Sequence, residues 1–145
     1  MSNLDPSTFL DNLSCCFKSD DELESRRCVS ILFYCVFNLW MEKVNLAPGF
    51  EVHPGNMIDS VREYNSRTGI TDLPIADLKE LEKYRTISDH FFGNNITFLL
   101  RSTRFSQKAT LDLKLQKEMK TYAIRSINFL KNLSPGDLKY VDPDS

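Results

Sequence analysis

The chain has 145 residues, a formal net charge of -2 and a hydrophobic share of 41%, values of a globular protein with a core of its own and far from those of a disordered tail. That length fits one domain that needs no metal or disulfide staples. With no basic excess, any nucleic-acid surface has to be a local patch, because the chain as a whole weakly repels polyphosphate.

Asp5-Pro6-Ser7 reads as a helix start, with Phe9, Leu10 and Leu13 forming a short apolar stripe up to about Phe17. Before it, MSNLDPST lacks a basic region and an apolar run, so no secretory signal is visible and the expectation is a cytoplasmic protein. Ser19-Asp20-Asp21-Glu22 has the form of a capping box, with the Ser19 hydroxyl accepting from the Glu22 amide and the Glu22 side chain answering the Ser19 amide. A long second helix follows, through Arg26, Cys28, Ile31, Leu32, Cys35, Val36, Leu39 and Trp40 to about Val44. Between Val29 and Met41 only Ser30, Tyr34 and Asn38 interrupt its apolar character, which makes it the central helix. That run is shorter than the about 20 residues that span a bilayer, and no membrane partner is expected.

The four cysteines, Cys15, Cys16, Cys28 and Cys35, form no CxxC pair. They read as reduced, small apolar residues, Cys28 and Cys35 being seven apart on one side of the helix, and neither a metal site nor a cofactor is expected. Pro48-Gly49 and Pro54-Gly55 mark Leu46 to Asn56 as loop, with His53 in solvent. A third helix, about Met57 to Arg67, puts Met57, Ile58, Val61 and Tyr64 on one side and stops at Gly69.

Asp72-Leu73-Pro74 opens a fourth helix in which Leu78, Leu81 and Tyr84 keep helical spacing and Arg85 is followed by His90. Histidine titrates near neutral pH, and arginine carries a permanent charge suited to phosphate. Five positions along a straight helix turn through about 500°, so the two side chains leave the axis roughly 140° apart. Cooperation then needs the helix to end near His90, as Gly93-Asn94-Asn95 allows, or a second copy to complete the site. The competing structural reading gives Arg85 an ion pair with Glu82 or Asp89 and packs His90 against Ile87.

Helix is the reading for Ile96 to Phe105, although Ile96, Phe98 and Leu100 nearly alternate with polar residues, and so do Leu111, Leu113 and Leu115; a short hairpin between residues 96 and 115 is the alternative. Arg101 to Ala109 contains no two-residue turn signal. From about Thr110 a closing helix carries Leu115, Met119, Tyr122 and Phe129 to Leu133, and Ser134-Pro135-Gly136 ends it. Asp137 to Ser145, with three acidic residues and no core pattern, reads as a loose tail. The expected architecture is an all-α, single-domain bundle of about five helices over residues 1–133, with a tail at 134–145.

Five helices, a long apolar second helix, the motif RTISDH from Arg85 to His90 on the fourth, followed by Phe91-Phe92, and a long closing helix together resemble the HEPN superfamily of small all-α domains with an Arg-x4-6-His motif. The likeness covers about Leu4 to Leu133. Thr86 stands where many members carry a polar residue, often asparagine, directly after the arginine; it offers a hydroxyl but not an amide. The resemblance implies a metal-independent endoribonuclease acting as a toxin or antiviral effector, with RNA as substrate, a homodimer, and a protein partner such as an antitoxin. It also admits non-catalytic members, so an immunity, antitoxin or adaptor module is the second expectation.

On the catalytic reading the RNA 2′-hydroxyl is the nucleophile, which supplies proximity and dispenses with a metal. His90 moves the proton as base or acid, Arg85 stabilises the charge building on the phosphoryl oxygens, and the products are a 2′,3′-cyclic phosphate and a 5′-hydroxyl end. Thr86, Asp89 and Tyr84 are supporting candidates: Asp89 or Ser88 to orient the imidazole, Tyr84 to stack on a base. A basic patch of Lys83, Arg85, Arg101, Arg104 and Lys108 around His90 would favour the nuclease, whereas an Arg85 buried against a carboxylate would favour the module.

Overall fold

The computed structural model describes residues 17–44, 52–53, 55–70, 72–90, 95–100, 103–108 and 111–141, with backbone alone considered for 95–100 and 103–108. Within them lie four helices and one hairpin: α1 Glu22–Lys43, α2 Asn56–Thr68, α3 Ile75–His90, β1 Asn95–Leu100, β2 Thr103–Lys108 and α4 Leu113–Lys131. The expected first helix, about Asp5 to Phe17, lies outside the described residues. The expected helical bundle holds, with α1 packed against α3 and α4, those two packed against each other, and α2 resting on α3.

The central position of α1 follows from its composition. Val29, Leu32, Phe33, Val36 and Trp40 have no exposed surface, and each apolar side chain so buried stabilises the fold by about 1.5–3 kcal/mol. The other helices each give one stripe to the same core: Met57, Ile58 and Val61 from α2, Leu78, Leu81 and Ile87 from α3, Met119, Ile127 and Leu130 from α4. Gly69 stops α2 in the left-handed conformation at φ 78°, which glycine adopts without the Cβ penalty. No helix among the described residues is long and apolar enough to cross a membrane.

Several expectations are corrected. The cap of α1 is Asp21, whose carboxylate accepts from the Glu24 amide at 3.1 Å, while the Ser19 hydroxyl accepts from the Asp21 amide at 3.0 Å. Both Ser19-x-x-Glu22 and Asp21-x-x-Glu24 fit a capping frame, and the carboxylate is the stronger acceptor for a helix N-terminus. Over Ile96 to Phe105 the alternative holds: the segment is not a helix but an antiparallel hairpin running from Asn95↔Lys108 to Leu100↔Thr103. The β-branched and aromatic residues Ile96, Thr97, Phe98, Thr103 and Phe105 favour that extended form. The alternation at Leu111 to Leu115 has another origin: Asp112 caps α4, its carboxylate accepting from the Leu115 amide at 2.9 Å, and the leucines flank that cap.

The C-terminal segment is not a loose tail as far as Val141. The Gly136 and Leu138 amides both donate to the Lys43 carbonyl, at 3.0 and 3.1 Å, Leu138 is fully buried, and Tyr140 packs on the core. Two apolar residues in a short acidic stretch carry no periodicity, so their docking leaves no pattern to read.

The cysteines are also corrected in part. Cys28 is disulfide-bonded, with its partner outside the described residues, and so is not a reduced thiol. Cys35 is free and buried as expected, and burial pushes its thiol up to about 11. Because the thiolate is the nucleophile, iodoacetamide at neutral pH should leave Cys35 unmodified in the folded protein and alkylate it once the chain is denatured. Peptide mapping by mass spectrometry checks this; equal labelling in both states would contradict the buried position.

Candidate functional site

The end of α3 gathers the residues of interest. His90 is the last residue of the helix and is exposed. Arg85, five residues earlier, points into the bundle instead: only 14% of its side chain is exposed, and its guanidinium carbon lies 5.1 Å from the centroid of the Phe33 ring on α1. The helix stays regular through both positions, so the two groups leave it in different directions and a single chain does not converge them on one point.

Asp89 stands between the helices. Its Oδ2 lies 3.6 Å from Arg85 Nη1, and its Oδ1 accepts a short hydrogen bond from the Ser30 hydroxyl on α1. Of the two ion pairs expected for Arg85, with Glu82 or Asp89, the second is the one formed. At 3.6 Å it is a charge contact rather than a hydrogen bond. The guanidinium makes no hydrogen bond among the described residues, and its buried Nε has no partner.

The last turn of α3 is secured from α1 by Arg26. Its Nη1 donates to the Ile87 carbonyl at 3.0 Å and the Ser88 carbonyl at 2.9 Å, and its Nη2 pairs with Glu22 at 3.1 Å. These two acceptors belong to the final four carbonyls that no helix can satisfy internally, and a cation there also suits the negative end of the helix dipole. The sequence reading placed Arg26 on the second helix but gave it no role, because it stands beside Arg27 in the polar stretch before the apolar run. The only signal was that one: an arginine on the buried stripe of a central helix needs acceptors from a neighbour.

The supporting candidates fall as follows. The Thr86 hydroxyl donates back to the Glu82 carbonyl at 2.8 Å, and Tyr84 is half-buried against the core. Ser88 is buried and its hydroxyl has no partner among the described residues. Asp89, engaged with Ser30 and Arg85, turns away from a role as the imidazole's orienting group. Lys83 pairs with Glu80 at 3.2 Å and lies 4.8 Å above the Tyr84 ring. Arg104 and Lys108 are in β2, opposite Leu99 and Asn95, and Arg101 lies outside the described residues. Among the described residues no group of three or more His, Cys, Asp or Glu side chains could hold a metal ion. A depression of about 630 Å³ beside the start of α4, lined by Asp20, Leu113, Lys114, Lys117, Glu118 and Thr121, includes none of the expected site residues.

No known protein family, no curated protein and no solved structure matches this chain. The functional reading therefore stands on the chemistry of the α3 end.

Proposed function

We propose that the chain is a metal-independent endoribonuclease of the HEPN type, with Arg85 and His90 as its working groups, acting on RNA as a toxin or antiviral effector. The observation that carries this reading is the state of Arg85. Its guanidinium is largely withdrawn from water and held over Phe33, yet makes no hydrogen bond among the described residues. A largely buried cation whose Nε donor is unmet among the described residues favours an anion that brings acceptors, and phosphate matches the planar fork of arginine.

His90 supplies the other half. At the exposed end of α3 it can reach a bound substrate, taking the proton from the 2′-hydroxyl or giving one to the departing 5′-oxygen. As the 2′-oxygen bonds to phosphorus and the bond to the 5′-oxygen breaks, charge grows on the phosphoryl oxygens, where Arg85 stabilises it. RNA cleavage by wild type and by His90→Ala, with EDTA present, is the direct test.

Because one chain sends Arg85 and His90 in different directions, the proposed site is a composite of two copies related by a two-fold axis, which brings the same patch of each chain together. The protein should accordingly be a dimer at micromolar concentration in analytical ultracentrifugation. A strict monomer across the whole concentration range would remove the composite site.

A second reading is favoured by the same residue, because an Arg85 largely buried beside the Asp89 carboxylate is the arrangement expected of a binding module. In that reading the chain is a non-catalytic helical module, an immunity, antitoxin or adaptor protein whose Arg85 serves the fold, and a protein partner takes the place of RNA. Wild-type inactivity on a broad RNA panel, together with a dimer that survives Arg85→Ala, would support it.

A further inference from the structure

We propose that Asp89 is an internal competitor for the anion that Arg85 binds, latched in place by Ser30, so that the α3 end is held in a self-occupied state until a phosphate displaces it. This rests on the reading of Arg85 as the phosphate holder and adds to it a regulation of the same site.

The geometry is that of an occupant which attracts without satisfying. Asp89 Oδ2, at 3.6 Å from Arg85 Nη1, offers charge but lies beyond the 2.7–2.9 Å typical of charge-assisted hydrogen bonds. It does not close that gap, because Oδ1 is committed to the Ser30 hydroxyl on the neighbouring helix and the backbone of Asp89 is fixed in the last turn, where Arg26 binds the two preceding carbonyls. Arg85 is in turn fixed from below by the Phe33 ring. The result is a cation neutralised at a distance, with its Nε donor unanswered.

A phosphate oxygen arriving at Arg85 would bring both charge and acceptors, but it would meet a second anion. Two like charges about 4 Å apart repel strongly in a half-buried setting. Engagement of phosphate therefore requires Asp89 to break from Ser30 and turn outward to water, which its partial exposure permits. Isolated phosphates bear that cost alone. A polynucleotide, which holds several phosphates near the surface at once, spreads it over further contacts, so the latch discriminates against small anions and favours the polymer.

Binding separates this proposal from the chemistry of cleavage. Inorganic phosphate and a short 2′-deoxy oligonucleotide, which lacks the nucleophile, are titrated by calorimetry into full-length wild type, Asp89→Asn, Arg85→Gln and the double variant. Asparagine keeps the size of the side chain and a hydrogen-bonding oxygen for Ser30 while removing the charge. Asp89→Asn should tighten phosphate binding by about tenfold, with a smaller factor for the oligonucleotide, and the gain should vanish when Arg85→Gln is also present. Asp89→Ala provides the same reading if the asparagine variant is unstable by circular dichroism. No tightening in either variant, or equal tightening without Arg85, overturns the latch, since the second result would mean only a general loss of negative charge. If Asp89→Asn tightens binding through Arg85 but His90→Ala cleaves RNA as well as wild type, the latch stands and the nuclease reading falls. Cleavage that needs His90 with no Arg85-dependent tightening gives the reverse.

Discussion

His90→Ala protein is expected to cleave single-stranded RNA more slowly than wild type by about 10²- to 10⁴-fold, the usual contribution of a positioned proton-transfer group. The substitution is a clean probe because His90 is exposed at the end of α3, so its removal opens no cavity, and helical content by circular dichroism should not change. Arg85→Ala should also lower cleavage by orders of magnitude, through loss of transition-state charge stabilisation. It is less clean, because the guanidinium also packs over Phe33 and its removal costs about 1 kcal/mol of cation–π stabilisation. Arg85→Lys separates charge from geometry: it keeps the cation, loses the two-pronged donation to phosphate, and should rescue only partly. Cleavage should persist in EDTA and fail on a substrate whose 2′-hydroxyls are replaced by hydrogen. Equal activity of wild type and His90→Ala would defeat the assignment.

The helices were legible where burial has a period. Val29 to Trp40, Met57 to Val61, Leu78 to Leu81 and Met119 to Leu130 each write a 3.6-residue stripe, and each is a buried stripe of the core. The hairpin was legible only as an alternative, because Ile96 to Phe105 supports alternation and helical spacing almost equally and Arg101 to Ala109 carries no two-residue turn signal. Leu138 was illegible for a different reason: it docks through its own amide and that of Gly136 to the one Lys43 carbonyl, which no local pattern encodes. At the candidate site the same division applies. The Arg85–Asp89 pair follows from i,i+4 spacing alone, whereas the Ser30 bond to Asp89 and the Arg26 bonds to Ile87 and Ser88 join residues about sixty positions apart. Spacing picked out the candidate residues; only the packing of α1 on α3 determined which of them are turned inward.

Arg26→Ala should be among the most destabilising single changes away from the apolar core, at about 2–4 kcal/mol, because it leaves the carbonyls of the buried residues Ile87 and Ser88 without the donors they have from Arg26. The effect is one of unmet acceptors rather than a lost ion pair. Glu22, the carboxylate partner, is largely exposed, and solvent-exposed pairs contribute at most about 1 kcal/mol. Arg27→Ala, next in sequence but exposed and 3.8 Å from Glu24, should change stability by no more than about 0.5 kcal/mol. Arg26→Lys should fall between, since a single ammonium cannot donate to both carbonyls and Glu22 with the geometry of the guanidinium fork. Urea unfolding gives the three values on one scale, and hydrogen exchange locates the damage: amides 86–90 should lose protection in Arg26→Ala well before the middle of α3 does, because freeing the Ile87 and Ser88 carbonyls lets the last turn fray. That turn positions Asp89 and His90, so on the proposed function the same variant should lose RNA cleavage at temperatures where the fold remains intact. Stability within about 0.5 kcal/mol of wild type would show that water replaces the guanidinium at the helix end and that Arg26 is not what holds the site in place.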